Sequence, residues 1–391
     1  MLLRFFHRGN WATFVLAFAL GCGMPAEAKD HERRGNAALA AGRYGEALAA
    51  FSRARELAPS DPSLQRAMMR ARVHLIADDP TRLAADQVDD ARYEAQTLLD
   101  VEPDKKAVYL TALAQLSLRE GKTDDAKTKL DEALKADAQN ALAHAALGTL
   151  YLARKDGAAL AKAEFAAALN SNPNHFGALV ALARIKANEG DLAGAVEKLQ
   201  ASLLVRDDAA ARLTLGTVLA QQQKPVDAIL HLQRAVELDP KNIDALFALG
   251  QAFLSAGKLD EAERALSAVA ASRPDANVLT ALGFALSRQK KWEQARSVFD
   301  QALARDQTFA PAHYGMAMAL EALGKTDEAL THYRVVVSLG ERDKSLGDIT
   351  RDAEKKIAGL TADPAASASA SARPAAPFQG PLGADPLNSR R

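Results

Sequence analysis

Cysteine occurs once in this sequence, at position 22, so no disulfide can close within the chain. Aromatic residues make up only 5% of it, against an apolar total of 48%. The apolar residues are mainly Ala and Leu. Both lose little on entering a helix, whereas β-branched residues lose more, so closely packed helices are favoured over a sheet. Net charge is absent as well, with 49 Lys and Arg against 49 Asp and Glu. Proteins that bind nucleic acid displace counterions with an excess of cations; with no such excess and no strong cationic run, no nucleic-acid partner is expected. Eight histidines, at 7, 31, 74, 144, 175, 231, 313 and 332, show no pairing at metal-ligand spacing. There is no HExxH, CxxC or Walker-type loop, and no strand pattern from which a phosphate loop could spring. The chain is therefore expected to be non-enzymatic, with no cofactor, metal or small-molecule substrate.

A long hydrophobic run is missing too. Behind Arg4, His7 and Arg8 comes the apolar stretch from Ala12 to Leu20, nine residues where a bilayer core requires about 20. A basic start, a short apolar run and then small residues is the pattern of a secretory signal, assigned here to 1–28. Two processing readings follow. Ala26-Glu27-Ala28 is an A-x-A site for release into the periplasm. Ala19-Leu20-Gly21-Cys22 resembles the lipobox of bacterial lipoproteins, in which the cysteine becomes the acylated N-terminus; Gly21 fits, and Ala19 stands where Leu is usual. The lipobox is preferred because the sole cysteine falls at the end of the apolar run. It implies lipid attachment at Cys22, and Gly23 in place of Asp favours the outer membrane.

What the sequence has in abundance is repetition. Leu215-Gly216 and Leu249-Gly250, Ala228 and Ala262, Leu232 and Leu266, and Pro240 and Pro274 are each 34 residues apart. This resembles the tetratricopeptide repeat, whose period is 34. Each unit of that family is two antiparallel helices. Small residues at places 8 and 20 let the backbones approach, larger ones at places 11 and 24 fill the space beside them, and Pro at place 32 stops the second helix.

The register recurs in regular units at 29–61, 106–140, 141–175, 176–208, 209–242, 243–275, 276–309 and 310–343. The unit at 141–175 carries one extra residue in its turn. Pro103 follows Pro59 at an offset of 44, so 62–105 is a stretched, atypical helix pair broken at Asp78-Asp79-Pro80, with Ala91, Ala95 and Leu98 in register. A capping helix at 344–360 presents the stripe Leu346, Ile349, Ala353, Ile357 and Leu360 to the last repeat, since a terminal repeat has no neighbour to cover its apolar face. The Ala/Ser/Pro-rich segment 361–391 keeps no apolar periodicity and is expected to be disordered. The expected fold is all-α, a right-handed α-solenoid of tetratricopeptide helix pairs with a C-terminal capping helix.

The resemblance also locates a binding surface. Places 2, 5, 9 and 12 of each first helix form a common stripe, which in this family lines the concave groove. In early repeats the ninth place is polar or charged: Asn36, Gln115, Thr149, Arg184 and Thr217. Later repeats place Phe247 and Tyr314 at the fifth position and Phe284 and Met318 at the ninth, with Gln251 and Thr280 on the same stripe. Aromatic groups bury much area with few rotors, which suits anchors for a partner. Phe247, Gln251, Thr280, Phe284, Tyr314 and Met318 are therefore the expected partner-binding groove. The two-carboxylate clamp of chaperone-binding members needs Lys at the fifth place and Asn at the ninth; the first repeat has Asn36 but Glu32. The expected function is a protein-interaction scaffold of the bacterial cell envelope. Exported tetratricopeptide lipoproteins of similar layout assist assembly of pili and secretins, or couple components of exopolysaccharide export.

Overall fold

The structure, a computed structural model, describes residues 24–362. The leader with Cys22 and the tail from 363 lie outside the described residues. Among the described residues there are nineteen α-helices and no strand: α1 Ala26–Ala40, α2 Tyr44–Leu57, α3 Pro62–Asp78, α4 Val88–Val101, α5 Lys106–Arg119, α6 Thr123–Ala136, α7 Ala141–Leu152, α8 Ala158–Ser171, α9 Phe176–Asn188, α10 Leu192–Val205, α11 Ala209–Gln221, α12 Pro225–Leu238, α13 Ile243–Ser255, α14 Leu259–Ser272, α15 Ala276–Arg288, α16 Trp292–Arg305, α17 Ala310–Ala322, α18 Thr326–Arg342 and α19 Gly347–Ala362. The chain divides into two compact lobes after Ala178.

Each helix starts and stops for local reasons. Asn140, Asp208, Asn242 and Asp275 accept backbone N–H groups at the starts of α7, α11, α13 and α15, satisfying donors that have no partner in the first turn. The first helix of most repeats ends in a Schellman turn. In the seventh repeat Gly257 takes φ +77°, while Lys258 N donates back to Phe253 O at 2.9 Å. Within a repeat the two helices meet through a small residue set against a large one. A Cβ added at Gly250 would lie 2.8 Å from the Leu266 side chain, and one at Gly283 would lie 2.5 Å from the Phe299 ring. Only glycine allows these contacts without displacing core atoms.

In the C-terminal lobe one core cluster runs from Ala183 to Ala353. It includes Ile349 and Ala353 of α19, with Leu346, Ile357 and Leu360 packed against it, so this helix covers the last repeat. In the N-terminal lobe the core is divided among several clusters. The stretched pair consists of α3 and α4, joined by 3-10 turns at Pro80–Arg82 and Ala85–Gln87. Val73, Ile76 and Ala77 at the end of α3 pack with Tyr109, Ala112, Leu113 and Leu116 of α5 and with Leu142 of α7. The added length of α3 thus reaches past its immediate neighbour.

Candidate functional site

The stripe of places 2, 5, 9 and 12 is far more closed than its sequence suggests. Phe247 and Phe284 are each 5% exposed, Tyr314 4% and Thr280 1%; Gln251 and Met318 are half-buried. The expectation that these rings stand open in a groove is therefore corrected. The Phe284 ring packs edge-on against Phe299, with centroids 5.4 Å apart. Tyr314 packs the same way against Tyr333 at 5.7 Å, and its hydroxyl donates to Asp352 of α19. The Arg273 guanidinium lies over the Phe247 ring, 5.8 Å from its centre, and also binds Asp244 at 2.6 Å. All three rings belong to the continuous core of the lobe. Burial and the Asp352 carboxylate push the Tyr314 phenol far above its ordinary pKa. The Thr280 hydroxyl has no hydrogen-bond partner among the described residues.

A second correction concerns the polar ninth places, where Gln115 and Thr217 are buried rather than lining an open stripe. Gln115 is covered by the end of α3 and donates to Ala77 O at 3.4 Å, while Arg119 donates to Pro80 O at 3.0 Å and Leu83 O at 2.9 Å. The stretched pair closes this part of the stripe in the N-terminal lobe. It is held there by Glu102, whose carboxylate accepts from Arg70 Nε at 2.7 Å and from the fully buried Tyr109 hydroxyl at 2.5 Å, with Lys105 at 3.4 Å. Burial alone would raise the Glu102 pKa, but these donors hold it at about 2.

The sequence missed a set of contacts between place 4 of the first helix and place 23 of the second. His144 Nδ1 meets Glu164 at 2.7 Å, Arg212 Nη1 donates to His231 Nδ1 at 2.9 Å, and His313 Nδ1 lies 2.9 Å from His332 Nδ1. Histidines 19 residues apart look unrelated along the chain, yet the antiparallel pairing within one repeat makes them neighbours. The polar pair at these two places in the fourth, sixth and ninth repeats was the available signal. Among the described residues no three His, Cys, Asp or Glu side chains gather as a metal site. No described helix is long and apolar enough to cross a membrane.

Paired antiparallel helices in tandem, each repeat packed mainly on its neighbours, define an α-helical repeat protein. Residues 28–61, 111–175, 180–243, 219–283 and 286–339 match the tetratricopeptide repeat, together more than half of the chain. The chain belongs to the tetratricopeptide-repeat family, whose fold is in general a non-enzymatic scaffold for protein–protein interaction. It is similar to the Arabidopsis thaliana anaphase-promoting complex subunit 7, with 30% identity over 31% of this chain and 22% of that protein. It is also similar to a Hordeum vulgare protein described as a probable UDP-N-acetylglucosamine–peptide N-acetylglucosaminyltransferase, SPINDLY, with 32% identity over 30% of this chain and 13% of that protein. These matches span less than a quarter of either relative's length. Among solved structures, the APC/C hetero-tetramer Cut9–Hcn1 matches with a TM-score of 0.51 and 15% identity, over 86% of this chain and 78% of the other, a likeness of fold alone.

Proposed function

We propose that this protein is a non-catalytic scaffold of the bacterial cell envelope that binds other envelope proteins or their peptides on the inner stripe of its C-terminal lobe. The observation that carries this is the uninterrupted run of tetratricopeptide pairs from the fifth repeat to the capping helix, built on one core. On that stripe Gln251 and Met318 remain half-exposed. They are assigned to meet the partner, while Phe247, Phe284 and Tyr314 form the rigid wall beneath. Truncating those rings would open core cavities at a cost of about 3–5 kcal/mol, so they cannot serve as binding probes.

Export and lipid attachment at Cys22 complete the proposal. Ala26-Glu27-Ala28 lies in the first turn of α1, and Ala28 is fully buried. Cleavage after Ala28 would remove that turn, whereas processing before Cys22 leaves α1 whole. Within the envelope we assign the protein to assembly of a pilus or secretin machine, the layout it resembles, with coupling in exopolysaccharide export as the other such layout. The test is a cross-linking pull-down from envelope extract with a Gln251→Arg, Met318→Arg double variant that keeps the wild-type helical spectrum and melting point. Partner recovery should fall at least about tenfold, the loss of about 1.4 kcal/mol. Equal recovery by wild type and variant would remove the binding face from this stripe.

A further inference from the structure

The place-4/place-23 contacts have a chemistry of their own. His313 Nε2 lies 2.9 Å from Gln307 O. A carbonyl only accepts, so Nε2 carries the proton and the neutral ring turns a bare Nδ1 toward His332. His332 must then supply the Nδ1–H of the 2.9 Å bond. Two imidazolium rings cannot make this contact, because both Nδ1 atoms would be donors. In the sixth repeat Arg212 donates to His231 Nδ1, and Asp207 fixes that guanidinium at 2.7 Å while also binding Arg234 at 2.8 Å. Protonating His231 would set a second donor and a second cation against Arg212.

We infer that these two contacts make the C-terminal lobe acid-sensitive at its sixth and ninth repeats, each opening between its two helices when the second histidine proton, or the His231 proton, is taken up. Burial lowers the His332 pKa most, and His313 lowers it further, against Glu328 on its own helix and Asp300 on α16. Burial and then Arg212 lower that of His231, against Asp227 on α12. Both folded-state values thus lie below the ordinary 6.5. Groups depressed in this way contribute stability that is full above about pH 6.5 and is lost as pH falls through the folded values. The seventh and eighth repeats have Leu246 and Ala265, and Leu279 and Val298, at the same places and cannot respond. In the N-terminal lobe His144 faces Glu164, where a protonated ring completes an ion pair.

Amide hydrogen exchange of the full chain at about pH 7.5 and about pH 5.5, corrected for the intrinsic rate, tests this. Protection in α11–α12 and α17–α18 should fall by roughly tenfold or more, while α13 to α16 and α7–α8 hold theirs. A His231→Asn, His332→Asn variant keeps a polar group opposite Arg212 and His313 and should abolish the loss. Uniform loss across the repeats, or an unchanged acid response in the variant, would overturn the inference. If the variant fails to fold, imidazole titration of the wild type decides, and uptake at or above pH 6.5 of the His231 proton, or of the second proton by the His313–His332 pair, also overturns it.

Discussion

At the fifteenth place of a repeat, where the first helix turns into the second, Gly42, Gly121, Gly190, Gly257 and Gly324 take φ between +71° and +84°. The sixth and eighth repeats put Gln223 and Lys290 there, at φ +59° and +61°. A side chain in this left-handed conformation costs about 1–2 kcal/mol, partly offset by the greater freedom glycine has in the unfolded chain. Gln223→Gly and Lys290→Gly should therefore each stabilise by about 0.5–1 kcal/mol, seen as raised urea midpoints without a change in slope. Unchanged or lowered midpoints would show that these side chains make compensating contacts. The small residues at place 8, such as Gly216 and Gly250, were legible from their recurrence. The fate of the groove rings was not, because helical spacing places a side chain on a face without saying what packs over it.

At the scale of the element, α3 departs furthest from the repeat. Its break at Asp78-Asp79-Pro80 was legible from proline chemistry, and Ala91, Ala95 and Leu98 are all fully buried. That its last turn covers α5, and that Glu102 ties the pair down, follows from pairings across tens of residues that no local pattern displays. Glu102→Gln leaves Arg70 without its charge partner and weakens the bond from the Tyr109 hydroxyl, which should cost the N-terminal lobe roughly 2–4 kcal/mol at neutral pH. The folded-state pKa is depressed from 4.5 to about 2, so this contribution is full above about 4.5 and disappears as pH falls through about 2. The gap in unfolding free energy between wild type and variant should therefore narrow across that window. A gap that stays constant with pH would mean the carboxylate charge does not matter.

At the scale of the whole molecule the lipid anchor proposed at Cys22 would govern where the scaffold acts. One acyl chain holds a protein to a bilayer only weakly, at about 0.8 kcal/mol per buried CH₂, and stable anchoring takes a second. Lipoprotein processing at Cys22 would supply more than one. On fractionation the wild type should sediment with membranes, and Cys22→Ala should lose that association. A wild-type protein recovered from the soluble periplasm and beginning at Lys29 would refute the anchor.

The sequence by itself determined the all-helical repeat architecture. The 34-residue period and the small-against-large pairs are local, repeated constraints, and near-neighbour packing needs little more. Tertiary structure decided what each face became. It drew Phe247, Phe284 and Tyr314 into the core, laid α3 over the stripe of α5 and set His313 against His332. Burial and ring contact depend on which second surface arrives, and that surface comes from residues distant in the chain, so periodicity places a side chain on a face but leaves its neighbours unnamed.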